Sequence, residues 1–379
     1  MRKDKVISFV FAGVLAAGFL WNVLTPSRSY SERENRYLQE FPSISADRLF
    51  SGQFGKDFET YTTDQFPMRD SWVALKTLAG LAMLRPDNGR VYFGENQRLF
   101  EIPEAADAGL QQSNCRAVAA FLEKVTQMDP TIRTAVMLAP TATTILKEEL
   151  PAFAPVADEE ALIHCMELAL GESVVFCDPT SVLMDQTDRD SLYYRTDHHW
   201  TTKGAFLAYQ ALAEAQGLEP LQESDFRIET VADDFYGTLY SKANLPLIPA
   251  DTIERYMPNR ENPCTLTNDG GKTVRDSLYD VSYLEGRDKY AYFLGGNYPL
   301  TEIRTSVTNG RHLLVIKDSY AHALVPFLTA HYETISMVDL RYFKEDLADW
   351  MTDKEITDVL VLYNASTFAA DRQLAAALS

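Results

Sequence analysis

The chain has 379 residues, 46% of them hydrophobic, enough to bury a sizeable core and too many for wholesale disorder. Its formal net charge of −19 argues against nucleic acid or an anionic lipid surface as partners and disfavours a strongly anionic substrate. Four cysteines (Cys115, Cys165, Cys177, Cys264) show no metal-ligand spacing; buried thiols and one or two disulfides both stay open.

Met1 to Lys5 is net basic, and Val6 to Leu24 is a nearly unbroken apolar run of 19 residues, about the length that spans a bilayer as a helix. The basic end is expected to stay cytoplasmic, with the rest of the chain outside. Thr25-Pro26-Ser27-Arg28-Ser29 lacks a small-x-small cleavage site, so a retained signal-anchor over residues 1–24 is expected rather than a cleaved signal peptide. Residues 25–45 are polar and read as a juxtamembrane linker, and residues 46–379 as one large domain.

Phe54–Leu81 reads as a helix–turn–helix, and Val91–Phe100 as a hairpin, with turn residues between two short apolar runs. Helical and strand patterns then alternate. Helices are expected over Asp107–Gln127, Thr141–Leu150, Glu159–Leu170, Thr202–Gln216, Tyr320–Ala330 and Phe343–Met351. Strands are expected over Arg133–Leu138, Ser173–Cys177, His312–Ile316, Thr334–Val338 and Ile356–Tyr363. Such alternation predicts an α/β fold, a mostly parallel sheet with helices on both faces. Residues at about 220–300, rich in Pro and Tyr, break the rhythm and read as an insertion that shapes the site.

The most informative stretch is Asp197-His198-His199-Trp200, just before a predicted helix. In an extended backbone residues i and i+2 share a face, so Asp197 is expected to meet His199 while His198 points away. An Asp that orients a His makes two members of a nucleophilic triad, and Ser319, at the end of an apolar strand, offers the third. Ligands in parallel α/β folds sit beyond the C-terminal strand ends, where Ser319 falls. The Tyr320 N–H is expected at the following helix N-terminus, as an oxyanion donor. Gly296-Asn297 offers either a second donor or ordinary turn chemistry. Metal ligation by Asp197, His198 and His199 is the competing reading. It is disfavoured because His164, His312, His322 and His331 show no HxxxH spacing, and no metal is expected.

These residues resemble a known family. Asp197-His198-His199-Trp200, flanked by Thr196 and Thr201, looks like the signature of the DHHW protein family of Gram-positive bacteria. The blocks Ser31–Leu38, Thr63–Asp70, Phe293–Asn297 and Ile316–Tyr320 look like its other recurrent segments, so the resemblance covers essentially the whole exported chain. That family is similar to the alginate O-acetyltransferases, in which an Asp-x-His pair precedes the nucleophilic Ser. The order Asp197, His199, Ser319 matches, and His directly before Trp200 selects His199 over His198. The resemblance implies an SGNH-hydrolase-like three-layer α/β/α fold behind an N-terminal transmembrane helix. It implies a membrane-anchored, outward-facing O-acetyltransferase of a cell-surface or secreted polysaccharide, working beside a membrane-bound O-acyltransferase. Catalysis would fall to Ser319, His199 and Asp197, with Tyr320, Asn297, Gly296 and Trp200 around the oxyanion or substrate and no cofactor beyond an acetyl donor. A carbohydrate acetylesterase with the same residues is the alternative. Another is a non-catalytic polysaccharide-binding or assembly protein that stacks sugars on Tyr236, Tyr240, Tyr256, Tyr279 and Tyr283.

Overall fold

The computed structural model describes residues 2–31, 33–352 and 354–378; Met1 of the basic end and Glu32 of the expected linker lie outside the described residues, as do Asp353 and Ser379. The chain divides into two compact units, Met1–Asn88 with Tyr240–Leu247, and Gly89–Leu239 with Ile248–Ser379.

In the first unit a helix covers Arg2–Leu24, and its Lys5–Leu24 stretch has a mean hydropathy of 2.0, long and apolar enough to cross a membrane by length and composition. Within residues 25–45 the two-residue strands Tyr30–Ser31 and Arg36–Tyr37 pair antiparallel. Asp64 explains why this polar stretch is ordered. Its buried carboxylate accepts two bonds from Arg36, at 3.0 and 2.5 Å, and one from the Gln39 N–H at 2.9 Å. The expected helix–turn–helix is present as Gln53–Asp64 and Arg69–Ala82.

The second unit is built on one eight-stranded sheet. Its strands are β1 (Arg133–Ala139), β2 (Val174–Cys177), β3 (Thr265–Asn268), β4 (Thr273–Arg275), β5 (Leu300–Arg304), β6 (His312–Lys317), β7 (Thr334–Val338) and β8 (Asp358–Asn364). The spatial order is β4-β3-β5-β7-β6-β8-β1-β2. From β7 to β2 neighbouring strands are parallel, and from β4 to β7 they are antiparallel. The segment around 220–300 therefore does more than insert: its last part supplies β3 and β4 and runs into β5, which together form an antiparallel edge. Thr265, Leu266, Thr267 and Val274 are β-formers, but the runs are short and interrupted by Gly270-Gly271, so no strand signal of ordinary length exists. A separate hairpin pairs Phe226–Phe235 with Asp251–Pro258. Tyr256 lies buried there among Phe206, Phe226 and Phe327, where it packs and offers no face to a sugar.

Strand side chains alternate between two cores, as a two-sided sheet requires. Ala135, Met137, Leu313, Val315, Leu360 and Leu362 face one core with helices α3 (Thr202–Ala215) and α4 (Ala321–Leu328). Val136, Leu138, Leu314, Ile316, Val359 and Val361 face the other with α1 (Ala108–Met128) and α2 (Glu159–Ala169). Helices on both faces make the expected SGNH-hydrolase-like three-layer α/β/α fold. The first three helices start on side-chain caps: Asp107 accepts from the Leu110 N–H, Asp158 from Ala161 and Thr201 from Gly204. The helix expected over Thr141–Leu150 shrinks to Ala142–Ile145 and a 3₁₀ turn, Lys147–Glu149. The β-branched run Thr141, Thr143, Thr144 and Ile145 disfavours helix. The buried Glu159 carboxylate also takes hydrogen bonds from the Thr141 N–H and both the Thr141 and Thr144 hydroxyls.

Leu314, fully buried on the inner strand β6, tests this layering. Leu314→Ala is expected to lower stability by about 2–5 kcal/mol. Urea unfolding of the full chain measures it, and a loss well under 1 kcal/mol would mean that the face is not packed as described.

Candidate active site

The Asp-His-His-Trp stretch forms a tight loop. Tyr193 bridges Trp200, the Tyr194 N–H donates to the His199 carbonyl at 3.3 Å, and the Thr201 N–H donates to the Leu192 carbonyl at 2.8 Å. Between those ends the backbone bends at every residue from 195 to 199. Asp197 and His199 do meet, but not along an extended strand. The Asp197 carboxylate folds forward onto the chain, and Oδ1 accepts the His199 N–H at 3.0 Å and Nδ1 at 2.5 Å. Because the loop bends, His198 does not point away. Its ring centroid lies 3.8 Å from that of His199, and its Nδ1 is 2.8 Å from the Thr238 hydroxyl.

His199 Nε2 lies 2.7 Å from Ser319 Oγ. An ionised carboxylate can only accept, so Nδ1 of His199 carries a proton and Nε2 of the neutral ring accepts the Ser319 hydroxyl. Burial, then the neighbouring His198, pulls the His199 imidazole down to about 4, against the raising effect of Asp197. Burial pushes the Asp197 carboxyl up, but the charges of His198 and His199 and the donors around it overrule that and hold it well below the usual carboxylate range. Its other oxygen, Oδ2, accepts from the Thr238 N–H at 2.7 Å and the Thr238 hydroxyl at 3.1 Å. Gly237 makes this approach possible, since a Cβ there would stand 2.2 Å from Asp197 Cβ and Oδ2. Asp197, His198 and His199 bring one ligand atom each within 4.8 Å of one another. Both oxygens of Asp197 and both ring nitrogens of His199 are engaged in hydrogen bonds.

Ser319 follows β6 and precedes α4, half-buried at the C-terminal end of the strand. Two bonds tie this turn to the loop: Trp200 Nε1 donates to the Tyr320 carbonyl at 3.0 Å, and the Tyr320 hydroxyl donates to the His198 carbonyl at 2.6 Å. Trp200 is fully buried, so it fastens the loop and presents no surface to a substrate. The Tyr320 N–H is not free to meet an oxyanion, because Asp318 Oδ1 accepts it at 2.9 Å. The other Asp318 oxygen takes the Asn364 N–H and amide, and burial raises the Asp318 carboxyl to about 6. The Ser319 N–H makes no hydrogen bond among the described residues.

Gly296 (φ +97°) follows Gly295 (φ +81°), a left-handed pair that turns the chain into the exposed Asn297. No hydrogen bond joins Gly296 or Asn297 to Ser319 among the described residues. Lys317 Nζ and Arg341 donate to Asn297 Oδ1 at 3.3 and 3.4 Å. Lys317 is buried, with Asp339 Oδ2 at 3.1 Å and His322 Nε2 at 2.9 Å. Burial, then the Lys317 charge, drives the His322 imidazole well below its ordinary value, so it accepts from the ammonium as a neutral ring.

Sequence reasoning missed Gly237, Thr238 and Tyr290. Tyr290 stacks on His199 with centroids 3.7 Å apart and planes 12° apart, and its hydroxyl donates to the Ser319 carbonyl at 3.2 Å. Nothing in the local sequence distinguishes it from the other tyrosines of its segment. All four cysteines are free thiols, Cys165 partly exposed and the others buried.

A mostly parallel sheet between helical layers, with a serine at the end of an inner strand facing an imidazole–carboxylate loop, defines an SGNH-hydrolase-like protein. The profile of the DHHW proteins matches residues 113–338, and the chain belongs to that family. A DHHW family protein from Eubacterium siraeum is similar in structure, with a TM-score of 0.64 and 26% identity over 76% of this chain and 93% of that one. PatB1 of Bacillus cereus shares the fold, with a TM-score of 0.63 and 23% identity over 74% and 97%. A probable alginate O-acetylase, AlgJ, of Pseudomonas putida is 25% identical over 193 residues, 50% of this chain; the chain spans about half the length of that curated relative.

Gly237→Ala is expected to drive the Asp197 carboxylate off its donors and to destabilise the chain by about 1–3 kcal/mol, as overpacking does. An unchanged denaturation midpoint would show that the contact yields without strain.

Proposed function

We propose that the chain is an extracytoplasmic O-acetyltransferase of a cell-surface or secreted polysaccharide, held to the membrane by its N-terminal helix. The observation that carries this reading is the unbroken hydrogen-bonded series from Asp197 through His199 to Ser319. AlgJ, described as a probable alginate O-acetylase, supports acyl transfer as the chemistry and a polysaccharide as acceptor.

In this reading Ser319 Oγ attacks the acetyl carbonyl while its proton passes to His199 Nε2. The Asp197 carboxylate steadies the imidazolium that forms. The developing oxyanion is met by the Ser319 N–H and by the Asn297 amide, whose oxygen is held by Lys317 and Arg341 so that its N–H groups point elsewhere. His199 returns the proton to the departing donor group, leaving an acetyl ester on Ser319. A sugar hydroxyl then gives its proton to His199 and attacks that ester. The acetylated sugar leaves, and the proton returns to Ser319. The residues need no cofactor. The acetyl donor is supplied by a membrane-bound O-acyltransferase partner beside the N-terminal helix.

The test is intact-mass analysis of the full chain after incubation with p-nitrophenyl acetate and a sugar oligomer. Wild type should gain one acetyl group on Ser319 and form acetyl esters on the sugar; Ser319→Ala should do neither. Free acetate without sugar esters would make the protein an esterase, and no adduct on wild type would refute the acyl-enzyme. The pH profile is a separate check. His199 accepts a proton only when neutral, so acylation should fall as pH drops through about 4 and stay flat from about 6 to 8. A midpoint near the ordinary histidine value of about 6.5 would show that burial does not govern the base. Asn297→Ala should slow acylation about 10²–10³-fold; an unchanged rate would remove Asn297 from the site.

A further inference from the structure

We infer that Tyr290 is a positioning residue that couples base to nucleophile, its ring stabilising the charged His199 imidazole and its hydroxyl holding the Ser319 turn. The inference rests on the Ser319–His199 reading above. Two contacts of one buried side chain carry it. The Tyr290 ring lies 3.7 Å from the His199 ring and only 12° from parallel. The Tyr290 hydroxyl donates to the backbone carbonyl of Ser319 at 3.2 Å. One rigid group thus spans the two partners of the reacting hydrogen bond, from a segment that supplies neither.

The contact matters when His199 takes the proton. A neutral imidazole gains little from an aromatic face, whereas an imidazolium is attracted to the negative face of the ring. The other groups around His199 do not replace this. Asp197 accepts from Nδ1, the Ser319 hydroxyl donates to Nε2, and the charge of Glu101 has the smallest effect of the groups around the ring. His198, with its centroid 3.8 Å away and its plane tilted by 40°, opposes protonation of His199 rather than supporting it. Tyr320 lies farther away, at 5.5 Å between centroids. His322 is near-parallel to Tyr290 with centroids 6.4 Å apart, and burial together with the Lys317 charge lowers its tendency to take a proton. Tyr290 is therefore the one near-parallel aromatic face on the base among the described residues.

The rate of Ser319 modification by an aryl fluorophosphonate, followed by intact mass on the full chain in detergent at pH 7, tests this apart from acetyl transfer. The probe forms an Oγ–P bond and releases fluoride, with the serine proton passing to His199. Four proteins are compared: wild type, Tyr290→Phe, Tyr290→Leu and Tyr290→pentafluorophenylalanine. Tyr290→Phe keeps the face and loses the bond to the Ser319 carbonyl, so a fall of about 2–10-fold is expected. Pentafluorophenylalanine keeps the ring's shape but reverses its quadrupole, so a further fall of about 2–30-fold relative to Tyr290→Phe is expected, with Tyr290→Leu showing a comparable loss. Equal rates for the phenyl and pentafluorophenyl forms would overturn the inference, because packing alone would then account for Tyr290. So would wild type that is not modified at Ser319. Modification that follows the expected order, in a protein that transfers no acetyl group, would uphold Tyr290 and sink only the transferase reading.

Discussion

The second unit carries an ionised carboxylate where there is almost no water. An unpaired charge in such a place is strongly unfavourable, and a protein keeps it only by surrounding it with donors. Asp197 has them on both oxygens: the N–H and Nδ1 of His199 on one, the N–H and hydroxyl of Thr238 on the other. Each donor constrains geometry as well as energy. His199 must present Nδ1 with a proton, which fixes its tautomer and leaves Nε2 for Ser319. Residue 237 must lack a side chain. The loop must bend, since only a folded-back backbone brings its own N–H to the carboxylate.

The rest of the unit holds that loop against the end of β6. Two bonds join the turn after β6 to the loop: the Trp200 indole donates to the Tyr320 carbonyl, and the Tyr320 phenol donates to the His198 carbonyl. Asp318 occupies the Tyr320 N–H and reaches across to Asn364 at the end of β8. The serine is therefore held by its neighbours on both sides in sequence, whose polar side chains are engaged with the rest of the unit. The Ser319 N–H makes no hydrogen bond among the described residues, and the Asn297 side-chain oxygen accepts from two cations, Lys317 and Arg341.

Much of this was legible in the sequence. The alternation of apolar strands with amphipathic helices fixes the parallel part of the sheet, because a strand buried on both faces must read as a continuous apolar run, as Leu313–Ile316 and Val359–Leu362 do. Asp197, His199 and Ser319 stood out because their chemistry is rare in combination. The antiparallel edge was not legible, since strands of three to five residues carry no periodic signal. The fate of individual N–H groups was not legible either. Tyr320 sits where a helix N-terminus offers donors, yet the adjacent Asp318 side chain already accepts its N–H. Tyr290 and Thr238 act through space on residues far off in the chain, and local pattern holds no trace of that.

His199 and Ser319 are 120 residues apart in the chain, and Asp197 and Thr238 are 41 apart. Closing loops of that length carries a large entropic penalty that is repaid only when the surrounding packing is complete. The Ser319–His199 hydrogen bond therefore depends on tertiary docking and cannot form from local structure alone. On the proposed reading Ser319 stays inert until β6, α4 and the Asp-His-His-Trp loop have docked, so recovery of its reactivity on refolding would report completed tertiary assembly rather than the earlier appearance of helices and strands.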